Sequence, residues 1–488
     1  MERLRLEALG DVPVASRPAY DPRSVSVGIL HLGIGSFHRA HQAVYTDDAI
    51  AMGDDTWGIC GVTQRSSAVQ DLLAPQDYLY SVLERDRASE GLRVVGSVRD
   101  VICAPREADR LAAAFVDPSI RIVSLTITEK GYGCDTSGAL LLDNDGIRHD
   151  LEGATPVTAV GRLVHGLDSR RHVDAGPVAV MSCDNVPRNG AYLEGAVEQF
   201  VERLPVGTGS PLADWIADNV TFPSSVVDRI VPKTSQDGLA LAEEKLGLRD
   251  PGAIVTEPYS QWVIEGQFPG GRPRWPGVVD TADIQPYQEQ KLRLLNATHS
   301  ALAYLGALGG HEFIAEAIAQ PGYREFGARL MDDDAVPALQ PTDGVDLGAY
   351  SVTVLERFSN PYMMHRCDQV AADGSQKLPI RLLPSAQTRI DAGAEPRWIC
   401  LAVAAWMRFL GGTDDEGRPL RVEDPMAERL VELAGGASDP GAVVGRLLGV
   451  REIFPIELGE NAMFRRLVTT WLGRLIDHGV QDTLSELE

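Results

Sequence analysis

Val25-Ser-Val-Gly-Ile-Leu-His-Leu32 runs straight into Gly33-Ile-Gly35, and Phe37-His-Arg-Ala-His-Gln-Ala-Val-Tyr45 follows. The first segment is short, apolar and rich in β-branched and aliphatic residues, the pattern of a strand buried in a parallel sheet. The last reads as a helix. A strand, a tight glycine turn and a helix make the first half of a dinucleotide-binding unit. In such a unit the glycines let the backbone approach a pyrophosphate, which rests on the helix N-terminus. The third glycine of the GxGxxG pattern is absent, since Ser36, Phe37 and His38 follow Gly35. GxG alone is a weak signal, and the flanking strand and helix give it its weight.

Further strands are expected over Trp57–Val62, Asp77–Glu84, Leu92–Cys103, Ile122–Thr128 and Pro177–Cys183, with helices over Arg106–Val116 and Ala191–Leu204. The strand Trp57–Val62 should end beside the adenosine ribose, where an acid usually binds the hydroxyls. Thr63-Gln64-Arg65-Ser66 stands there instead. Arg65 and Ser66 suit a 2′-phosphate, which leaves NADP open beside NAD. Ile122–Thr128 ends in Glu129-Lys-Gly-Tyr132, and Pro177–Cys183 ends in Asp184-Asn185-Val-Pro-Arg-Asn189-Gly190. Polar strand ends of this kind line the crevice of an open α/β sheet. Asn189 reads as a turn residue, and Asn185, at the strand mouth, calls for more than that.

The chain has 488 residues, too many for one ordinary domain, and 44% of them are hydrophobic. Strand-like segments continue around Val226–Pro232 and Ile254–Gly266, and a Gly-, Pro- and Arg-rich loop covers Gln267–Pro276. Beyond it the periodicity is helical, over 287–308, 311–331, 396–410, 424–435, 441–449 and 463–477. The expected fold is therefore an α/β Rossmann-type dinucleotide-binding domain over 1–282, followed by a mostly α-helical domain over 283–488. A net charge of −24 argues against nucleic acid and anionic membrane as partners. No run of about 18 apolar residues and no signal-peptide core is present. Six scattered cysteines without a CxxC pair suit a reduced cytoplasm. There is no HExxH, no Cys/His cluster at zinc spacing and no Asp-rich calcium loop, so no metal is expected.

Lys291-Leu-Arg-Leu-Leu-Asn-Ala-Thr-His299 sits in the largely apolar helix 287–308. At about 100° per residue, Asn296 falls about 140° and His299 about 80° round from Lys291. The three polar groups thus share one sector with Leu292, Leu295 and Leu302. A buried lysine costs free energy unless it is paired or neutral. The alternative is a snorkelling lysine beside core polar groups, and the residues alone weigh the two readings evenly.

Three motifs together resemble the long-chain mannitol dehydrogenase family, which includes mannitol 2-dehydrogenase and the fructuronate and tagaturonate reductases. They are Gly33-Ile-Gly35-Ser-Phe37-His-Arg39-Ala-His41, Cys183-Asp-Asn185 with Asn189-Gly190, and the Lys291–His299 segment. Thr128-Glu-Lys-Gly-Tyr132, Asn360-Pro361 and Asp373-Gly-Ser-Gln-Lys377-Leu-Pro add to the match, which runs from about residue 25 to 475. The resemblance implies a metal-independent NAD(P)-linked oxidoreductase acting on a secondary carbinol, with NAD slightly favoured. It puts Lys291 as the general base of alcohol oxidation, Asn185 and Asn296 on the substrate oxygen, and His299 on a substrate hydroxyl. It places the Gly33, Gly35, Phe37 and Arg39 motif at the cofactor, to which the strand-end reading adds Arg65 and Ser66, and it gives Asp228 and Lys377 as secondary substrate contacts. The chemistry agrees: hydride leaves as the hydroxyl loses its proton, which needs a base, and two amide donors would stabilise the developing alkoxide.

The sequence departs from the family at two positions. Gln288 stands where the family often has a proton-relaying Glu, with Glu289 beside it. Gln369 replaces the usual substrate-binding arginine, while Arg366 lies about one helical turn earlier. His365-Arg366 resembles the hexuronate-reductase branch, in which an arginine could pair a substrate carboxylate; an ordinary surface arginine is the equal alternative. The expected reaction is C2 oxidoreduction of a linear polyol, D-mannitol to D-fructose by default and D-mannonate to D-fructuronate next, with arabinitol or sorbitol as other polyols. A sugar alcohol or keto-sugar is the expected partner, and the chain is expected to be a monomer or a weak homo-oligomer. Different-class alternatives are a catalytically silent nucleotide-binding regulator and a phosphate-binding protein. The retained set Lys291, Asn185, Asn296 and His299 argues against both. The active site is expected in the cleft where the two domains meet.

Overall fold

The computed structural model describes residues 1–135, 137–341, 345–435 and 439–485. The chain divides into two compact units, Met1–Gln285 and Pro286–Glu488.

The first unit is built on a six-stranded parallel sheet of β1 (Val27–Leu32), β2 (Gly58–Thr63), β5 (Val98–Cys103), β6 (Ile122–Leu125), β7 (Val178–Ser182) and β8 (Val220–Thr221). Their spatial order is β5-β2-β1-β6-β7-β8. The sheet grows outwards in both directions from β1, so β1 and β6 flank the switch point at which a Rossmann sheet opens to its ligand. The central strands are buried almost end to end, because each is covered on both faces. Alternate side chains enter opposite layers. Leu30, Leu32, Val123, Leu125, Val178 and Val180 pack with Leu163, Val164 and Leu167 of the helix Ala159–His172 and with Phe200 of Asn189–Val201. Ile29, Ile122, Ala179 and Met181 face the other way, towards Ala40, Ala43 and Val44.

Several expected elements are subdivided. Leu92–Cys103 is two strands, because the chain leaves one sheet for another at Gly96-Ser97. β4 (Glu90–Val95) pairs antiparallel with β3 (Tyr80–Arg85), whereas β5 joins the main sheet. β3 starts at Tyr80 rather than Asp77, since Asp77 and Tyr78 hold positive φ in a turn. Ile254–Gly266 is likewise two strands, β10 (Ile254–Thr256) on β3 and β11 (Gln261–Glu265) between β9 (Ser224–Asp228) and β12 (Val279–Asp280). The expected helix Phe37–Tyr45 is broken at His41 (φ −118°, ψ −91°), which separates Ser36–Ala40 from Gln42–Ala51.

Among the described residues of the second unit the named elements are all helices. Ala297–Leu308 is buried almost all round, as its unbroken apolar composition requires. It packs against Arg397–Phe409, which in turn packs against Ala462–Ser485. The expected helix 311–331 is interrupted at Pro321-Gly322, where Gly322 takes φ 80° and caps Tyr323–Arg329.

Candidate active site

The carboxyl ends of β1, β2 and β6 surround a cavity of about 480 Å³, a size ordinary for a small-molecule site. Gly33, Gly35, Arg65 and Ser66, four of the six expected cofactor residues, line it, with Thr63, Gln64, Thr126, Thr128, Lys130 and Arg162 among the rest. Gly33 has φ 102°, and a β-carbon there would lie 2.1 Å from the Thr126 carbonyl oxygen, so only glycine fits. A β-carbon at Gly35 would meet no protein atom nearer than 3.8 Å; it would occupy space that a ligand could use. The two glycines therefore serve different ends, one the turn and one the ligand. These features fit a dinucleotide.

Arg65 and Ser66 are exposed at the cavity rim. The preceding residue is held from behind: Arg162 donates through Nη1 to the Gln64 carbonyl at 3.1 Å and to Gln64 Oε1 at 2.5 Å. Phe37 and Arg39 stand apart from the lining. Phe37 stacks on His41 with 5.1 Å between ring centroids. Arg39 is buried, donates to the Gly252 carbonyl at 2.9 Å and lies 5.2 Å from the Tyr80 ring centroid. Both pack the helix start to the structure beneath it.

Behind the glycine turn lies a buried imidazole that the sequence reading passed over. His31 Nδ1 is 2.8 Å from Ser124 Oγ, and its Nε2 is 2.9 Å from Thr126 Oγ1, which donates to the Gly33 carbonyl at 2.8 Å. Burial pushes His31 down to about 3, so the ring is neutral at physiological pH.

At the mouth of β7 the two asparagines separate cleanly. Asn189 is fully buried; its Nδ2 donates to the Asp184 carbonyl at 3.0 Å and the Ser225 carbonyl at 2.8 Å, and its Oδ1 accepts from Ser225 N at 2.9 Å. It is a turn residue with its hydrogen-bonding capacity used. Asn185 is exposed at the strand end. Asp228 is buried at the end of β9, opposite Gln261.

In the second unit, Lys291–Asn296 forms a π-helical turn between the α-helices Gln285–Gln290 and Ala297–Leu308. The expected uninterrupted α-helix is corrected here. A turn closed i→i+5 holds more residues than an α turn, so Asn296 is carried less far past Lys291 than α geometry gives. Lys291 is 7% exposed and Asn296 9%. Gln288 is also buried. The Glu289 carboxylate pairs with Arg293 at 3.3 Å, one turn along.

His299 is set in a nest of basic side chains. Its Nε2 lies 3.1 Å from His365 Nδ1, and its ring stacks on Phe358 with centroids 4.9 Å apart. Burial pushes His299 well down, and His365, Arg381, Lys377 and Arg357 push it further. His365 is pushed down to about 4 by burial and by Arg357. Arg381 donates to Ser300 Oγ at 3.0 Å and to the Asn296 carbonyl at 3.3 Å, and Lys377 Nζ donates to the Val370 carbonyl at 3.1 Å. Sequence reasoning missed Arg357, Arg381 and the role of His365, because an arginine's partners are invisible until the helices are packed. Arg366, by contrast, grips Asp368 with both Nε (3.0 Å) and Nη2 (2.9 Å) and contacts Glu312 through Nη1. In this structure its guanidinium is engaged in these ion pairs at the surface. Among the described residues no group of three or more His, Cys, Asp or Glu side chains is placed to hold a metal ion.

Comparison with known proteins agrees with this layout. The mannitol dehydrogenase Rossmann domain matches residues 27–277, and the mannitol dehydrogenase C-terminal domain matches residues 283–476. A D-mannonate oxidoreductase of Escherichia coli K12 is 41% identical over 98% of this chain and 99% of its own length. A mannitol 2-dehydrogenase of Aspergillus fumigatus is 37% identical over 95% of this chain and 93% of its own. The Pseudomonas fluorescens mannitol 2-dehydrogenase, solved as a ternary complex with NAD and D-mannitol, superposes with a TM-score of 0.87 at 38% identity, covering 99% of both chains. Built from a Rossmann unit with a glycine turn and a helical unit with a buried Lys291–His299 segment, the chain belongs to the mannitol dehydrogenase family.

Proposed function

We propose that this chain is an NAD-dependent oxidoreductase that interconverts a secondary carbinol and a ketone at C2 of a linear sugar derivative, and that its preferred substrate is a hexonate such as D-mannonate, oxidised to D-fructuronate. The observation that carries the substrate choice is the setting of His299. Arg357, Lys377 and Arg381 surround two histidines that burial keeps neutral. Cationic side chains close to a neutral imidazole pair favour a substrate carrying a carboxylate. D-Mannitol, the ligand of the Pseudomonas structure, is the second reading and rests on likeness over the whole chain.

The roles of the residues rest on the family likeness and agree with the chemistry of hydride transfer. Bound NAD supplies the hydride acceptor. The amine of Lys291 takes the hydroxyl proton in oxidation and returns it in reduction. The amides of Asn185 and Asn296 donate to the oxygen as its charge grows, which lowers the barrier because that charge is greatest in the transition state. His299 orients a neighbouring hydroxyl, and Lys377 and Asp228 hold the distal part of the substrate. No metal is needed for these steps. No helix among the described residues is long and apolar enough to cross a membrane, and all six cysteines are free thiols, five of them buried; we place the enzyme in the cytoplasm.

Steady-state kcat/KM on D-mannonate and D-mannitol, each with NAD and NADP, tests the proposal. The expected result is at least a tenfold preference for D-mannonate and for NAD. A tenfold preference for D-mannitol would overturn the substrate assignment. Inactivity on every polyol, hexonate and ketose tried would overturn the reaction itself.

A further inference from the structure

Thr128 has φ 64° and ψ 161°. This region is close to glycine-only, because a β-carbon there collides with neighbouring backbone, and a β-branched residue suits it least. Such a conformation persists only where the surroundings over-determine it. Here the determinant is one carboxylate. Asp184 Oδ2 accepts from Ile127 N at 3.0 Å, and Oδ1 accepts from Thr128 N at 2.9 Å. The hydroxyl of Tyr132 donates to Oδ2 at 2.8 Å, completing three donors. Ser182 Oγ supports the arrangement, lying 2.5 Å from the Tyr132 hydroxyl and accepting from Asp184 N at 3.2 Å.

The loop from Ile127 to Tyr132 is therefore fastened at both ends to a single side chain. Four of its residues, Ile127, Thr128, Lys130 and Gly131, line the 480 Å³ cavity. Asp184 itself follows β7 and precedes Asn185. The cavity wall and the strand end that carries Asn185 thus share one anchor. Burial pushes the Asp184 carboxyl up from its ordinary value, and the hydrogen bonds from Ile127, Tyr132 and Thr128 oppose that shift.

We propose that Asp184 is a positioning residue whose carboxylate holds Thr128 in a strained backbone conformation and so shapes the cofactor-facing wall of the cavity. The proposal rests on the reading of this cavity as the dinucleotide site. It has a consequence that an ordinary structural aspartate lacks. If Asp184 acts by enforcing the conformation of residue 128, replacing that threonine by glycine removes the need for enforcement.

A double-mutant cycle on the full chain tests this, with D184N, T128G and the double variant compared with wild type. NADH affinity is read by fluorescence titration, and unfolding midpoints are read in parallel. In the otherwise wild-type chain D184N is expected to weaken NADH binding at least tenfold. In the T128G background the same change is expected to cost less than threefold. Equal costs in the two backgrounds would overturn the proposal. T128G alone is expected to raise the unfolding midpoint by a few degrees, because strain is relieved, and a fall would count against the clamp even if D184N did not fold. A wild-type chain that bound no NADH would overturn the cofactor reading, and the cycle in unfolding midpoints would still decide the clamp.

Discussion

His365 Nδ1 lies 3.1 Å from His299 Nε2, and both rings are held neutral by burial and by the arginines and lysine around them. Two facing imidazole nitrogens this close need one to carry a proton and the other to lack one; an imidazolium pair would set donor against donor. The unfolded chain has no such preference and takes up protons near the ordinary histidine value. A pKa pushed down from 6.5 to about 4 therefore contributes stability that is complete above pH 6.5 and is lost as pH falls towards 4. Unfolding midpoints measured from pH 7.5 to 4.5 should fall, and H365Q, which cannot titrate, should fall less steeply. An unchanged slope in H365Q would show that the pair is not the source.

Lys291 gives the plainest kinetic prediction. Removing a general base commonly costs 10²–10⁴ in rate. K291M should lower kcat by about a thousandfold, within that range, while the NADH dissociation constant stays within twofold of wild type. A K291M enzyme with near-normal kcat would remove Lys291 from the mechanism.

Asn185 and Asn189 should divide activity from stability. N189A removes three hydrogen bonds and strands the buried Ser225 N–H, which should destabilise the fold by about 2–4 kcal/mol. N185A, at an exposed position, should cost less stability than N189A and lower kcat by about a hundredfold, the scale of one lost oxyanion donor. Chemical denaturation and steady-state kinetics on the two variants check both halves.

Lys377 and Arg366 offer a second such contrast. K377M should reduce kcat/KM for D-mannonate about tenfold more than for D-mannitol, because the lost charge faces a carboxylate only in the first case. R366A should change neither ratio by more than about twofold, since its guanidinium serves Asp368 and Glu312 at the surface. A selective loss in R366A would restore it as the carboxylate partner.

The sequence by itself determined the elements whose signals are local. A strand buried on both faces must be a continuous apolar run, so β1, β2, β6 and β7 were legible, as was the glycine turn after β1. The spacing of Lys291, Asn296 and His299 could be read in the same way, although the π turn that sets their true directions could not, since the two helix types share one residue pattern. Tertiary structure decided which polar groups are buried among distant partners. Asn185 and Asn189 are alike in sequence, and only Ser225, 36 residues from Asn189, shows that Asn189 is used up. Arg366 reads equally as a substrate arginine or a surface one in sequence, and only the packing shows Glu312 and Asp368 on it, just as His365 meets His299 across 66 residues. Thr128 betrays nothing in sequence of its glycine-like backbone, because the carboxylate that holds it lies 56 residues away, just after β7. Periodicity is a property of near neighbours, whereas the partner of a buried polar side chain is chosen by the packing of distant ones.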